Sequence, residues 1–410
     1  MTHVAAPDSS ARSTFDALLS SEGRQLLAEL RDFDPADELT LATRLRRDHP
    51  AGLVSAALGQ ARLRQRAVAK FGAADAARMY FTPNGVEQAT RTTVATWRAR
   101  RMAGLGIRRV ADLCCGIGGD AIALAREGIA VLAVDRDPLT CAVAEANAEA
   151  LGLAGLIEVR CGDVTEVDTG GYDAVFLDPA RRGGRGRIFD PEGYSPPLSW
   201  AIAAATAAPY AAVKIAPGIP HEAIPEQAEA EWVSDRGEVK EAVLWFGTGG
   251  AGVRRATLLP AGDTLTGDTG QAPSGAPGRY LYEPDGAVIR AHLVAEAARR
   301  LGGRLLDPTI AYITTDEPAK GAGPDAAGSP YASGYEIDEV LPFHVKRLRA
   351  LLRERGVGTV TIKKRGSAID PDELRKRLKP SGPGRATVVV TRLAGAPVML
   401  LVRPLPRPPA

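Results

Sequence analysis

Apolar residues recur at three- and four-residue spacing from about Thr14 to Arg100, with glycine and proline between the segments. This periodicity predicts a succession of amphipathic helices without strands. Residues 1–100 are therefore predicted to form a helical N-terminal domain. Six arginines on these helices are more typical of a solvated helix face than of a binding surface: Arg44, Arg46, Arg47, Arg62, Arg64 and Arg66.

The pattern changes near Val110, where short apolar runs begin to alternate with helical segments. The runs are VADLCC, VLAVD, IEVRCGD, AVFLDP and AAVKIAP. Such alternation predicts an α/β fold, a Rossmann-like parallel sheet covered by helices on both faces. In sheets of this kind, ligands bind beyond the carboxyl ends of the strands.

The rest of the chain divides into three parts by composition. The segment 263–278 is rich in glycine, serine, threonine and proline, which predicts a linker or a mobile hairpin. The last part reads strand, helix, strand, helix, strand, strand, which predicts a compact α+β module. The predicted boundaries are 1–100 for the helical domain with a lid segment, 101–262 for the sheet domain, 263–278 for the linker, 279–335 for a connecting segment and 336–405 for the basic module.

Charge is unevenly distributed, although the formal net charge is only +2 over 410 residues. From Val340 to Ala410, sixteen lysines and arginines stand against four acidic residues. A concentrated positive field of this kind favours polyanionic partners.

The cysteines are Cys114, Cys115, Cys141 and Cys161, and they form no CxxC pair and have no accompanying histidine cluster. We therefore expect no metal site, and reduced thiols as in cytosolic proteins. The N-terminus has no basic region followed by an apolar core, and the stretch AIAAATAAPYAAVKIA is too short to span a bilayer. These features predict a cytoplasmic protein without a membrane partner.

Acidic residues end three consecutive predicted strands. Asp112 precedes a glycine turn through Gly116 and Gly118, where the backbone can approach a ligand closely at the start of a helix. Asp135 follows Gly116 by nineteen residues, a distance that suits the hydroxyls of a ribose. Asp163 ends the next strand and can accept from an amine.

Two cofactor classes fit these glycines. The pattern Gly116-x-Gly118-x-x-Ala121 satisfies the fingerprint of a nicotinamide-dependent dehydrogenase. Asp112, however, lies where the dehydrogenase fold normally has apolar residues. Dehydrogenases also do not require an acidic residue at the end of the third strand, where Asp163 stands. Carboxylates that suit an ammonium group, a ribose and an adenine amine together describe S-adenosylmethionine.

The chain resembles class I S-adenosylmethionine-dependent methyltransferases from about Met79 to Pro260. DLCCGIGGD looks like their first motif, VLAVD like the second, RCGD like the third and LDPA like the fourth, with Cys114 where glycine is commonest. The resemblance implies that the first loop holds the methionine end, Asp135 the ribose and Asp163 the adenine. The implied cofactor contacts are Asp112, Cys114, Gly116, Gly118, Asp135, Arg136, Asp163, Val164 and Asp178.

The segment Asp178-Pro179-Ala180-Arg181 resembles the (D/N)PP(Y/F/W) motif of methyltransferases that act on amino groups of bases. The resemblance implies that the Asp178 carboxylate and the Pro179 carbonyl orient the accepting atom for an in-line displacement. Ala180 and Arg181 depart from the motif, so the acceptor need not be a base amine, and a carbon, a ribose oxygen or another acceptor stays open.

Candidate substrate contacts lie in three places. Arginines among glycines after Asp178 suit an anionic substrate, or form a mobile solvated loop. The segment MYFTPNGVEQAT resembles a lead-in that some RNA methyltransferases fold over cofactor and substrate, although its Thr-Pro pair also predicts a capped helix start. A lysine near the end of the fifth strand either faces substrate or covers the sheet edge. These candidates are Phe81, Thr82, Gln88, Arg181, Arg182, Arg185 and Lys214.

The basic C-terminal module resembles the THUMP-like module found in a group of bacterial methyltransferases, and THUMP domains bind structured RNA. Lys363, Lys364 and Arg365 follow a strand and are predicted to contact RNA phosphates. Since no aromatic residues interleave with the basic ones, recognition of RNA by shape and phosphates is favoured over stacking on single strands.

The sequence therefore predicts an S-adenosylmethionine-dependent methyltransferase that acts on tRNA or rRNA. Two alternatives stay open. One is a methyltransferase of a small anionic metabolite or of a protein, and the other is a non-catalytic RNA-binding protein that retains the fold.

Overall fold

The computed structural model describes residues 9–180, 182–183, 186–187, 190–319 and 329–406. The chain folds into two compact units. The first comprises residues 1–219 and 243–251, and the second comprises residues 220–242 and 252–410.

The first unit begins with the predicted helices. Ser20 caps the second helix by accepting from Gly23 N at 3.0 Å, and Gly72, with φ of 77°, kinks the long fourth helix. The helices of this unit are α1 (Ser9–Leu19), α2 (Ser21–Glu29), α3 (Glu38–Leu45), α4 (Ala51–Ala76), α5 (Pro83–Gln88), α6 (Thr92–Gly104), α7 (Gly119–Arg126), α8 (Pro138–Ala150) and α9 (Leu198–Ala207).

A parallel sheet forms the centre of the first unit. Its strands come from the apolar runs; β1, β2, β4 and β7 are buried almost throughout, whereas only Ile157 is buried in the edge strand β3. They are β1 (Arg109–Leu113), β2 (Ala130–Asp135), β3 (Ile157–Cys161), β4 (Ala174–Leu177) and β7 (Tyr210–Ile215), with the two-residue strands β5 (Arg182–Gly183) and β6 (Gly186–Arg187) paired separately. The order β7-β4-β1-β2-β3 places β1 in the middle, between β4 and β2.

The second unit is built mostly of strands. They are β8 (Glu229–Asp235), β9 (Glu238–Phe246, of which 243–246 belongs to the first unit), β10 (Arg254–Leu259), β11 (Asp263–Thr266), β12 (Tyr280–Pro284), β13 (Arg304–Asp307), β14 (Ile310–Thr315), β15 (Ala332–Pro342), β16 (Val357–Lys364), β17 (Gly384–Leu393) and β18 (Ala396–Pro404). Its helices are α10 (Gly286–Arg290), α11 (Val294–Leu301), α12 (Val345–Glu354) and α13 (Pro371–Leu378). The segment expected to be a linker thus begins with β11, which pairs antiparallel with β10.

A seven-stranded sheet in the order β13-β14-β12-β15-β18-β17-β16 organises the C-terminal part. Alternate residues of β17 enter different cores: Val388 and Val390 pack with α12 and α13, whereas Val389 packs in a second cluster. This period of two is what a strand with both faces covered requires. Both helices therefore cover the same face of the sheet.

The predicted fold class is confirmed, with its helical N-terminal region, parallel α/β sheet and C-terminal α+β module. The predicted domain boundaries stay a prediction. Across the described ranges, no helix is both long and apolar enough to cross a membrane. The described residues also contain no group of three or more His, Cys, Asp or Glu side chains that could hold a metal ion.

A buried ion pair joins α6 to the start of α7, directly behind the glycine turn. Arg98 and Asp120 have side chains only 3% and 10% exposed, and the Arg98 guanidinium lies 4.5 Å from the centre of the Phe176 ring. Replacing Arg98 by methionine should lower the free energy of unfolding by about 3–5 kcal/mol, because the Asp120 carboxylate is left buried without its partner. Chemical denaturation followed by circular dichroism measures this loss.

The matched control is Arg100→Met on the same helix. The side chain of Arg100 is 70% exposed and pairs with Glu127 at 3.3 Å, a type of contact worth about 0–1 kcal/mol. Equal losses of stability in the two variants would show that the buried pair has no special weight.

Candidate active site

The carboxyl ends of β1, β2 and β4 meet at one edge of the sheet. Leu113 lies in register with Val134 on β2 and with Leu177 on β4. Beyond these positions, Cys114 N donates to Val134 O at 2.9 Å and Asp178 N donates to Leu113 O at 3.2 Å. The predicted loops after the three strands are therefore brought together at this edge.

Asp112 is fully buried at the end of β1. Neither of its carboxylate oxygens has a hydrogen-bond donor among the described residues. Burial raises the pKa of Asp112 well above its usual range, and the negative charges of Asp120 and Asp178 raise it further. A buried acid in this condition either keeps its proton or needs a cationic ligand.

The turn after Asp112 is tight. Cys114, Gly116 and Gly118 all have positive φ, of 69°, 57° and 85°, and Gly118 is the N-cap of α7. A side chain at Gly116 would meet open space, whereas one at Gly118 would lie 3.6 Å from Ala144. The backbone at Gly116 is thus open to a ligand, and Cys114 adopts a conformation that only glycine adopts without strain.

Asp135, at the end of β2, is held beside the glycine turn. Its Oδ2 accepts from Gly116 N at 3.0 Å, and its Oδ1 accepts from Asp137 N at 3.1 Å. Burial raises the pKa of Asp135, although both backbone bonds act in the opposite direction. The carboxylate is oriented by backbone donors, as a hydrogen-bonding partner for ligand hydroxyls requires.

The residues predicted for the adenine end lie after β3. Asp163 is exposed, and its Oδ1 accepts from Thr165 N at 2.9 Å and from Thr165 Oγ1 at 2.7 Å, which lowers its pKa. Val164 is buried. Arg136 is exposed, and its Nη1 donates to Ser195 Oγ at 3.2 Å. Asp163 therefore caps a short turn at the predicted place.

Asp178 forms a partly buried hydrogen-bond network that sequence reasoning did not predict. The Nζ of Lys214, at the end of β7, donates to Asp178 Oδ2 at 2.6 Å and to Thr90 Oγ1 at 2.9 Å. Lys214 is only 4% exposed and donates to an acidic partner that is half-buried, so it does not lie on the sheet surface as a free cation. Pro179 follows Asp178 and is also buried.

The lead-in segment is anchored to the glycine turn by Asn147 of α8. Asn147 is fully buried; its Oδ1 accepts from Tyr80 N at 2.6 Å, and its Nδ2 donates to the carbonyls of Tyr80 and Ile117 at 3.1 and 3.0 Å. A side chain at Gly85 would lie 2.5 Å from Ile117 Cγ2, so the segment packs closely against the turn.

Within this segment the structure shows the capped helix start. Thr82 accepts from Gly85 N at 2.9 Å as the N-cap of α5, and Pro83 follows it. The Phe81 ring is buried and lies 5.4 Å from Phe71, so the predicted substrate contact of Phe81 has no support in the geometry. Gln88 is exposed, and a substrate role for Gln88 and Thr82 stays a prediction.

The arginine-rich segment after Asp178 is closed at its base. Ala180 N donates to Ser195 O at 2.9 Å, and Ser195 N donates to Ala180 O at 3.1 Å. Arg181 and Arg185 lie outside the described residues. For Arg182 only the backbone, in β5, is described. The predicted role of these arginines stays a prediction.

In the second unit, the three basic residues predicted to meet RNA have partners of their own. Lys363 Nζ lies 2.6 Å from Glu283 Oε2, and Arg365 Nη2 lies 3.6 Å from Glu283 Oε1. Lys364 Nζ donates to Ile369 O at 3.0 Å. Because these cations serve contacts within the unit, the geometry gives no support to their predicted contact with RNA.

The residues at the sheet edge fit S-adenosylmethionine. Asp112 is a buried carboxylate without a donor, Gly116 offers open backbone, and Asp135 is oriented beside it. These groups would hold the ammonium end and the ribose. Thr90 and Asn147 make hydrogen bonds at the candidate site that sequence reasoning missed, since a single polar residue in a helical or loop segment gives no signal of its distant partners.

Family comparisons match separate parts of the chain. Residues 107–191 match a family described as RNA cap guanine-N2 methyltransferase, and residues 332–404 match one described as THUMP domain-like. Residues 11–67 match a domain of unknown function.

Individual relatives agree with these matches. Over 345 residues the chain is 37% identical to an uncharacterized S-adenosylmethionine-dependent methyltransferase of Mycobacterium tuberculosis (strain H37Rv), covering 81% of this chain and 90% of the relative. A match of 120 residues, 33% identical, covers 27% of this chain and 27% of the 23S rRNA (uracil(1939)-C(5))-methyltransferase of Edwardsiella ictaluri. A solved structure from Porphyromonas gingivalis W83, described as a methyltransferase, has a TM-score of 0.72 and 23% identity over 91% of this chain and 100% of that chain, a likeness of fold.

The state of Asp112 leads to a prediction about pH. Because burial raises its pKa, the contribution of this group to stability is present at low pH and is lost as the pH rises through the folded-state pKa. Asp112→Asn should therefore stabilise the ligand-free protein at pH 8 by about 1–3 kcal/mol. The same change should abolish the rise in melting temperature that S-adenosylhomocysteine gives the native protein.

Thermal unfolding between pH 6 and pH 9, with and without S-adenosylhomocysteine, measures both effects. Asp168→Asn, at an exposed turn, serves as the control and should change neither. A ligand-induced shift that survives in Asp112→Asn would rule out an ammonium-binding role for this carboxylate.

The positive φ of Cys114 leads to a second prediction. Cys114→Gly should leave stability unchanged or raise it by up to about 1 kcal/mol, because glycine removes the strain of the left-handed conformation. The same exchange at Cys141, inside α8, should cost about 1 kcal/mol or more. Urea denaturation of both variants makes the comparison, and a larger loss at Cys114 than at Cys141 would contradict it.

Proposed function

Because the chain belongs to the S-adenosylmethionine-dependent methyltransferases, we propose that it transfers the methyl group of this cofactor to RNA, either tRNA or rRNA. The observation that carries the proposal is the position of the Asp178 carboxylate, which follows β4 next to the glycine turn and accepts a hydrogen bond from Lys214 of β7. The family match over residues 107–191 and the THUMP-like match over residues 332–404 support RNA as the substrate.

Each acidic residue at the sheet edge has a separate task. Bound S-adenosylmethionine supplies a methyl group made electrophilic by its sulfonium sulfur. Asp112 would bind the ammonium end, which would supply the hydrogen-bond donor and positive charge that the buried carboxylate lacks. Asp135 accepts from the ribose hydroxyls, and Asp163 accepts from the adenine amine. Together these contacts fix the direction in which the reactive methyl points.

Asp178 orients the accepting atom of the substrate. Its Oδ2 is engaged by the Lys214 ammonium, so the carboxylate is fixed in one orientation with its charge balanced. Thr90 accepts from the same ammonium and holds the lysine in place. A carboxylate fixed in this way aligns an approaching donor group, which is the main requirement of an in-line displacement.

The second candidate is methyl transfer to a small anionic metabolite or to a protein. It is favoured by Ala180, which stands where the base-directed motif has a second proline. The two candidates differ in the molecule that becomes labelled when the enzyme is supplied with radioactive cofactor.

Methyl transfer from radiolabelled S-adenosylmethionine to total RNA of a strain that lacks the protein tests the proposal. The native enzyme should label one RNA size class. Asp178→Asn should lower kcat by ~10²–10³-fold, because the orienting charge is lost, while S-adenosylhomocysteine still stabilises the fold. Lys214→Met should lower kcat by up to ~10²-fold with little change in KM, because the carboxylate is no longer held in place.

Lys240→Met, a lysine change outside this network, is the matched control and should keep full activity. Label in protein or in small molecules but not in RNA would replace the proposal with the second candidate. Stabilisation by S-adenosylhomocysteine without transfer to any acceptor would point to an RNA-binding protein that retains the fold.

A further inference from the structure

Helices α12 and α13 carry a dense set of exposed cations on one face of the C-terminal module. Their large apolar side chains share one core with the sheet: Leu348, Leu352, Leu374 and Leu378 are all buried there. The opposite sides of both helices therefore point outward. We call this outward surface the α12–α13 face, and its exposed cations are Lys346, Arg347, Arg349, Arg353, Lys376, Arg377 and Lys379.

On α12 the cations form a regular stripe. Lys346, Arg349 and Arg353 follow the spacing i, i+3, i+7, which places them on one side of the helix, away from Leu348 and Leu352. Their successive separations along the helix axis are about 4.5 and 6 Å. A rigid row of charges at this spacing matches a row of phosphates better than it matches a single compact anion.

The charge of this face is not neutralised within the described part of the chain. Its seven cations make no ion pair there, whereas neighbouring basic residues do: Arg355 pairs with Asp338 and Glu339, and Arg375 pairs with Asp372. The exposed carboxylates at the two helices outside these ion pairs are Glu354, Glu373 and the N-cap Asp370, whose pKa is lowered by the backbone hydrogen bond from Glu373 and further by the charge of Lys376. A net positive surface thus remains for an external partner.

The composition of the face selects the class of partner. A membrane-binding helix inserts apolar side chains into the lipid, but the leucines named above are in the core. A protein interface needs central aromatic or apolar anchors, and single-stranded nucleic acid needs aromatic platforms; the helices α12 and α13 contain no aromatic residue. Phosphate-rich folded RNA requires only cations of fixed geometry.

We infer that the α12–α13 face binds the phosphate backbone of folded RNA, an assignment that rests on the proposed RNA substrate and is separate from the predicted contact through Lys363, Lys364 and Arg365. Each phosphate that a cation neutralises contributes about 0.7–0.9 to the slope of log K against log salt concentration. The face therefore determines a measurable part of the salt dependence of RNA binding.

Fluorescence anisotropy with a labelled RNA hairpin, at several salt concentrations, tests this inference on the full chain. The triple variant Lys346→Gln, Arg349→Gln, Arg353→Gln should bind about 10-fold or more weakly at 0.1 M salt, with a slope reduced by about 2–3. Lys376→Gln combined with Arg377→Gln should reduce the slope by about 1–2. Because all five side chains are exposed, melting temperatures should stay those of the native protein.

The matched control removes the same number of charges elsewhere in the second unit: Arg279→Gln, Arg299→Gln, Arg403→Gln. These arginines are exposed but paired with Glu336, Glu296 and Asp338. Binding within 2-fold of the native value is expected, a small change that the pairing explains. If the control and the triple variant on α12 (the stripe variant) lose RNA affinity equally, the loss reflects net charge alone and the inference is overturned.

The remaining outcomes separate this inference from the proposed function. If the native enzyme methylates RNA and the stripe variant binds RNA normally, the face is not the binding surface and the proposed function stands. If RNA binding depends on the stripe but no RNA is methylated, the proposed function fails and the surface stands. Stripe-dependent sedimentation with phosphatidylglycerol vesicles, without RNA binding, would overturn both.

Discussion

The register of three parallel strands places carboxylates at one partly buried edge, and the rest of the site depends on how each negative charge is accommodated. Asp135 is stabilised by backbone N–H groups, and Asp178 by the ammonium of Lys214. Asp112 has no donor among the described residues and carries a raised pKa. These different surroundings suit different roles. A carboxylate without a hydrogen-bond donor attracts a cationic ligand, whereas a carboxylate with a donor is fixed in orientation.

The surroundings of this edge are rigid, which binding and alignment both require. Asn147 satisfies three backbone groups of the lead-in segment and the glycine turn, and the pair of Arg98 with Asp120 fixes α6 against α7. Cys114 has a left-handed conformation, and its N–H donates to Val134 O. Strain of this kind persists only where surrounding contacts determine the backbone, so the turn is shaped for the ligand before the ligand arrives.

The sequence predicted what depends on local periodicity and failed for what depends on distant pairs. The elements from β15 to β18 follow the predicted strand and helix pattern, because alternation and helical spacing are local properties. Lys214, by contrast, meets Asp178 across 36 residues and Thr90 across 124. Likewise Lys363 looked available until the fold brought Glu283 to it from 80 residues away. The charged residues can be identified from the sequence, but which of them form ion pairs is determined by the fold.

The same pairing argument bears on how a polyanion is held. The described acidic residues at the edge of the sheet give a polyanion no attraction of their own: Asp178 is balanced by Lys214, and Asp112 is buried with a raised pKa. At 0.1 M salt a charge acts over only about 10 Å. If RNA is the substrate, as proposed, cations elsewhere must retain it, and cations that already form internal ion pairs contribute little to that binding. The second unit meets this condition on the α12–α13 face, where the leucines lie in the core and the seven named cations make no ion pair within the described chain. In the proposed function, cofactor binding is therefore assigned to the sheet edge of the first unit and RNA retention to the cationic face of the second unit.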